Sequence, residues 1–157
     1  MLYDNYFEAI GPLKLGLYAE GVISGQPLFY NSTASFLYAS AFEPTPEMQT
    51  LFLRPFRSYS YGALGMKAVV EVYKKVEFRA EGYLFQPYKE IQNDAETGDP
   101  KFGPAFAERA YTLAGTFVYK SILGPVSLGI SFYDKMPQPF TLSFNFGFLI
   151  FNPRPFR

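Results

Sequence analysis

The chain has 157 residues, a net charge of zero from 14 basic and 14 acidic side chains, and an aromatic content of 20%. Neutral charge without a basic cluster gives no electrostatic surface for nucleic acid. The lack of cysteine and histidine excludes disulfides, thiolate or imidazole metal ligands, and Ser-His-Asp or Cys-His catalysis. We therefore expect no catalytic, cofactor-binding or metal-binding residue in this chain.

Membrane-spanning helices and a leader peptide are not predicted either. The apolar runs are far shorter than the roughly 18 residues that a spanning helix needs. Met1–Ile10 lacks the basic start and apolar block of a signal peptide. This indicates either a removed leader or a piece of a longer protein.

Period-two alternation of apolar and polar residues dominates the chain, which is typical of strands with one apolar and one polar face. Leu2–Ile10 shows the pattern weakly. Six later segments show it more clearly: Leu13–Ser24, Ser60–Tyr73, Val76–Tyr88, Ala107–Ser121, Val126–Tyr133 and Phe140–Ile150. Several exceed the usual soluble strand of about 5–6 residues and suit membrane strands of about 9–11 residues with aqueous ends.

The two faces of these strands differ in chemistry. Large apolar residues fill one face, as in Phe140, Leu142 and Phe144, and we expect this face to contact lipid. Charged residues occupy the other face, with Glu108 among them, and we expect them to line the barrel lumen as structural ion pairs. The predicted lumen-lining residues are Lys14, Glu20, Lys67, Glu71, Glu77, Arg79, Glu81 and Lys120.

The connections alternate between short and long. Gly11-Pro12, Gly124-Pro125 and Tyr73–Lys75 predict tight turns on one side of the sheet. Residues 89–104 and Asp134–Pro139 predict loops on the other, external side. An even number of strands must then separate the tight turns, so residues 25–57 add no strand or two.

We interpret residues 25–57 as a long external excursion, because Glu43-Pro44-Thr45-Pro46-Glu47 cannot form a central strand. A short helical or extended piece is expected at Asn31–Ser40. The chain is thus predicted to be all-β, an antiparallel up-and-down transmembrane β-barrel with seven to eight strands. It forms either one domain over residues 1–157 or the C-terminal fragment of a larger barrel, since seven open strands leave edges that lipid does not tolerate.

Four segments resemble the C-terminal outer-membrane barrel of patatin-like phospholipases. They are Leu51–Gly62, Arg79–Tyr88, Gly124–Leu128 and Phe144–Phe151. The resemblance implies a barrel anchor or translocator in the bacterial outer membrane, with a serine lipid hydrolase domain N-terminal to it. It transfers no catalytic residue, because Ser24 does not lie in a Gly-x-Ser-x-Gly motif and no aspartate precedes a glycine.

The end of the chain resembles the signal that the barrel-assembly machinery reads. Its candidate residues are Phe144, Phe146, Gly147, Phe148 and Phe151. The expected partners are therefore outer-membrane lipids, this machinery and the hydrolase domain. Two alternatives stay open: a soluble lipocalin-like barrel with Leu64, Val70, Phe78 and Leu84 packed inside, and a small stand-alone outer-membrane barrel.

Overall fold

A computed structural model describes residues 1–94, 97–122 and 124–147. Its strands are β1 (Leu2–Ile10), β2 (Leu13–Val22), β3 (Ser40–Ala41), β4 (Arg57–Ser58), β5 (Tyr61–Tyr73), β6 (Val76–Pro87), β7 (Lys89–Asn93), β8 (Pro100–Ala105), β9 (Ala110–Ser121), β10 (Gly124–Tyr133) and β11 (Phe140–Phe146). Helix α1 spans Ser32–Tyr38, and two 3₁₀ turns span Met48–Thr50 and Arg54–Phe56. No helix in this described part is long and apolar enough to cross a membrane.

Seven of the strands form one antiparallel sheet in the order β1-β2-β5-β6-β9-β10-β11. The prediction of an all-β chain with seven sequential strands is confirmed. Gly11-Pro12, Lys74-Lys75 and the β9–β10 turn lie at one end of the sheet, and the three longer connections lie at the other. In the described residues, β1 and β11 are the two edges of the sheet.

One face of the sheet, which we call the bare face, carries exposed apolar side chains. Leu64, Leu128 and Phe144 are 63%, 57% and 69% exposed. The predicted alternation therefore holds, and the apolar residues point away from the rest of the protein. Leu64, Val70, Phe78 and Leu84 share this face by alternation in β5 and β6, so they do not form an internal core.

The opposite face, which we call the covered face, packs against the connection between β2 and β5. This connection, residues 23–60, is named here the inserted segment. Phe42, Met48 and Phe56 in it are at most 1% exposed and pack against residues of the sheet. The part predicted as an external excursion thus folds back onto the sheet instead, because its apolar side chains find their burial there.

Within the inserted segment, α1 lies inside the Asn31–Ser40 piece where a helical or extended element was expected. Asn31 caps the helix by accepting a hydrogen bond from the Thr33 amide at 2.7 Å. Among the described residues β3 and β4 pair with each other and not with the large sheet. The segment therefore adds no strand to that sheet, which is one of the two outcomes that the turn parity allowed.

Residues 89–104, predicted as an external loop, form most of the two-stranded hairpin β7–β8, which ends at Ala105. This hairpin lies at the end of the sheet where the long connections are. Ile91 packs with Phe36, Ala39 and Tyr59 in a second small core, which joins the hairpin to the inserted segment.

Candidate functional site

The covered face is the candidate site, and its chemistry changes along the strands. Aromatic residues lie in the half near the long connections. Most of the predicted lumen-lining charges lie in the half near the short turns. The buried aromatic residues that the sheet contributes here are Tyr18, Tyr61, Tyr83, Phe85 and Tyr133, all at most 7% exposed.

Phe42 is the centre of the aromatic half. Its ring stacks on Phe85 at 5.4 Å between centroids and meets Tyr83 edge to face at 6.0 Å. Phe56 reaches further across the sheet and contacts Tyr133 of β10 at 6.3 Å. Such aromatic pairs contribute about 0.5–1.5 kcal/mol each beyond their buried area. The inserted segment is therefore held by a specific packed core.

Tyrosine hydroxyls connect this aromatic core to two of the predicted carboxylates. Tyr18 donates to Glu20 at 2.6 Å, and Tyr61 donates to the other oxygen of Glu20 at 3.0 Å. Tyr83 donates to Glu81 at 2.6 Å. These charge-assisted hydrogen bonds satisfy the carboxylates on a partly buried surface.

Lys67 is the most buried of the predicted charges, with only 7% of its surface exposed. Its ammonium donates to Asp4 of β1 at 2.8 Å. The same ammonium lies 5.5 Å from the Tyr6 ring centre and 5.3 Å from the Tyr18 ring centre. Lys67 thus ties the edge strand β1 to the third strand of the sheet, across β2.

Glu77 forms the second ion cluster. It accepts hydrogen bonds from Arg79 at 3.2 Å and from Lys120 of β9. The predicted pairing of Glu77 is therefore observed, whereas Glu81 binds Tyr83. Glu77 and Glu81 each have a structural partner and do not act as a carboxylate pair on a shared group.

The remaining predicted residues lie closer to solvent. Lys14 and Glu71 are exposed on the covered-face side near the short turns. Glu108 lies in the connection before β9, where Lys135 donates to it at 2.5 Å. This contact holds the pKa of the Glu108 carboxyl below its ordinary value. A role for the eight predicted residues in a lumen stays a prediction.

A small cavity with both polar and apolar lining lies between the inserted segment and the sheet. Its volume is about 180 Å³. Its lining includes Glu47, Arg79, Glu81 and Asn145. Ligand sites usually measure about 300–1,000 Å³, so this cavity suits a few water molecules better than a substrate.

The inserted segment also has internal polar anchors. Arg57 donates to the carbonyl oxygens of Phe36 and Ala39, both at 3.4 Å, and lies 3.5 Å from Glu43. Burial raises the pKa of the Glu43 carboxyl, and the Arg57 guanidinium opposes that rise. Tyr59 donates to the carbonyl of Ser35 at 3.2 Å. Arg57 therefore serves as a structural cation within the inserted segment.

Comparison with models of known protein families, with curated proteins and with solved structures finds no match.

The described part of the chain holds no group of three acidic residues placed to bind a metal ion. The covered face packs against the inserted segment, and most of its predicted charged side chains have a hydrogen-bonded or ionic partner. Asp4, Glu20, Glu77 and Glu81 are bound to tyrosine, lysine or arginine, so these carboxylates serve to hold the structure together.

Two of the assembly-signal candidates lie on an accessible edge. Phe144 and Phe146 are 69% and 63% exposed on the bare face of the edge strand β11. Gly147 follows with a φ of 93°, in the region that favours glycine. Phe148 and Phe151 lie outside the described residues.

Sequence reasoning missed Asp4 and the aromatic core. Tyr18 and Tyr83 alternate in phase with the charged residues of their strands. Buried aromatic rings are not expected on the wall of an aqueous lumen. The signal was available in Tyr18 and Tyr83 themselves, since both follow the polar phase of their strands.

Proposed function

We propose that this chain forms part of the wall and the internal plug of an outer-membrane β-barrel that serves as a membrane anchor. The observation that carries the proposal is the bare apolar face opposite a hydrogen-bonded polar face. Seven strands spaced about 4.8 Å apart, with about eight residues rising 3.3 Å each, cover about 29 Å by 26 Å, or roughly 750 Å². The largest apolar patch of a soluble monomer usually measures about 300–600 Å².

The height of the bare face supports the same proposal. The apolar band of an outer-membrane barrel is about 25 Å tall. The soluble lipocalin-like alternative requires the apolar face inside, where it would form the core or hold a ligand. In this chain the inserted segment packs against the polar face and the apolar face is left bare, which favours lipid contact.

What the barrel anchors is the finer part of the proposal. The resemblance to patatin-like phospholipases favours an N-terminal serine lipid hydrolase, with the barrel as its anchor or translocator. The barrel-assembly machinery would dock on the exposed edge at Phe144 and Phe146. A coding sequence upstream of Met1 with a Gly-x-Ser-x-Gly motif supports the hydrolase, and one without it contradicts this part alone.

A single lysine substitution in β10 tests the membrane proposal. Leu128 is 57% exposed, so Leu128→Lys would leave a soluble protein nearly unchanged. In a membrane strand a mid-bilayer lysine costs about 2–4 kcal/mol. Leu128→Phe is the matched apolar control.

We expect Leu128→Lys to lower the fraction of protein that resists alkaline carbonate extraction and migrates differently with and without heating. Leu128→Phe should leave both properties unchanged. Wild-type protein that is released by carbonate as a soluble monomer would contradict the proposal.

A further inference from the structure

Within residues 1–94, 97–122 and 124–147, the outer sides of β1 and β11 pair with no other strand. The Gly21 amide donates to the Met1 carbonyl at 2.9 Å, and the N-terminal ammonium of Met1 donates to the Gly21 carbonyl at 2.7 Å. Because antiparallel pairs alternate, the next residues Leu2, Asp4 and Tyr6 direct their amides and carbonyls away from β2. The bilayer core does not tolerate such groups unpaired. A membrane-embedded form of this sheet therefore needs a partner at each edge.

The direction of the edge strands restricts that partner. Each strand of the sheet is antiparallel to its neighbour and there are seven of them, so β1 and β11 run in the same direction. Direct contact between β1 and β11 would be parallel. Two copies of the sheet inserted with the same orientation would also meet through parallel edges. Outer-membrane barrels are antiparallel, so an odd number of further strands must lie between β11 and β1.

The inserted segment restricts the number further. A barrel of about eight strands has an interior that side chains alone fill. Here the interior face also holds a polypeptide segment with its own buried residues, Phe42, Met48 and Phe56. A single additional strand would give eight and leave no room for this segment. Three or more additional strands are required.

Resting on the proposed barrel function, we infer that the edges β1 and β11 bind an additional amphipathic β-segment with an odd number of strands, three or more. This segment carries the same alternation of apolar and polar residues, with its first and last strands antiparallel to β11 and β1. The complete barrel then has ten or more strands. The chain supplies one part of the wall and the plug that fills the interior.

Because these 157 residues contain no cysteine, pairs of cysteines introduced within them test the inference once any cysteine elsewhere in the coding sequence is replaced by serine. Tyr3→Cys is combined in turn with Leu142→Cys, Phe144→Cys and Phe146→Cys in the native coding sequence, and membranes are oxidised. Leu128→Cys with Phe144→Cys is the positive control, since these residues face each other across β10 and β11. Hydrogen exchange of the Leu2, Asp4 and Tyr6 amides is measured in parallel.

We expect the control pair to form a disulfide and the three Tyr3 pairs to form none, within or between copies. The three edge amides should exchange as slowly as those of the central strand β6. A β1–β11 disulfide in one chain overturns the inference in favour of seven-strand closure, and one between chains overturns it in favour of a second copy. Fast exchange of the edge amides in carbonate-resistant protein overturns it as well. Release by carbonate refutes the barrel function itself, which separates the two failures.

Discussion

The covered face makes a sharp prediction at Gly65, where the Tyr83 ring lies directly over the backbone. A Cβ added at Gly65 would lie 2.2 Å from Cδ1 and 2.7 Å from Cε1 of Tyr83, whereas ordinary contacts are 3.4–4 Å. The ring would have to move by more than 1 Å. It is held by the 2.6 Å hydrogen bond to Glu81 and by edge contacts with Tyr18 and Phe42 at 5.3 and 6.0 Å.

Overpacking of this kind costs about 1–3 kcal/mol. Replacing glycine by alanine also lowers the conformational entropy of the unfolded chain, which offsets about 0.4–1 kcal/mol of this loss of stability. We therefore expect Gly65→Ala to lower the free energy of unfolding by about 1–2 kcal/mol. With a urea slope of about 2 kcal/mol per molar, the midpoint falls by about 0.5–1 M.

The matched control is Gly62→Ala in the same strand, where an added Cβ meets nothing within 4 Å. Unfolding in detergent micelles, followed by tyrosine fluorescence, should give this variant a midpoint at or slightly above that of the wild type. In a Tyr83→Ala background, Gly65→Ala should have little further effect. Equal midpoints for the two glycine variants, or the same loss with and without Tyr83, would refute the reasoning.

Three further predictions concern the other contacts of the interior. Phe42→Ala should reduce the free energy of unfolding by about 3–5 kcal/mol, because it empties the centre of the aromatic core; a loss under 1 kcal/mol in urea titrations contradicts this. Asp4→Asn should destabilise the folded protein more than Lys67→Met does, because it leaves the buried Lys67 ammonium without its carboxylate, whereas Lys67→Met removes the charge itself. The opposite order of urea midpoints for these two variants would argue against this pairing. Lys135 lowers the pKa of the Glu108 carboxyl in the folded protein. The stability from this contact is therefore present above the ordinary pKa of 4.5 and is lost as the pH falls through the lower folded value. Glu108→Gln should flatten the pH dependence of unfolding in that range, and an unchanged profile would count against this contact.

The large sheet was predictable because each of its strands presents two different faces to two different surroundings. Period-two alternation in Leu13–Val22 or Phe140–Phe146 reports that difference directly. The turns were predictable for a local reason as well. Gly11 adopts a φ of 57°, which a Gly-Pro turn entering a strand accommodates without strain.

The inserted segment was not predictable in the same way. Its buried residues Phe42, Met48 and Phe56 follow neither the strand period nor the helix period, so no local pattern shows where they pack. Their binding surface comes from Tyr18, Tyr83 and other residues brought together only by the folded sheet. The hairpin β7–β8 escaped prediction because Pro100 and Gly103 within it are typical of loops.

The sequence predicts which charged residues share the polar face, but it predicts only some of their partners. Alternation assigned Lys67 and Glu77 to the polar face, where the structure has them. The partner Asp4 lies in the weakly patterned strand β1, and its contact with Lys67 spans 63 positions of sequence. The tyrosine partners of Glu20 and Glu81 also depend on strand register, which one sequence does not specify.

The central claim is that the bare face contacts lipid and the covered face does not. A nitroxide scan along β10 tests this claim most directly. Single cysteines at residues 127–131 are spin-labelled in lipid vesicles, and the accessibility of each label to oxygen and to a water-soluble nickel chelate is measured. We expect high oxygen and low nickel accessibility at Leu128 and Ile130, which lie on the bare face. Labels at Ser127 and Ser131 should lack this lipid signature. Nickel accessibility that is high at Leu128 and Ile130 would contradict the account, because these side chains would then face water.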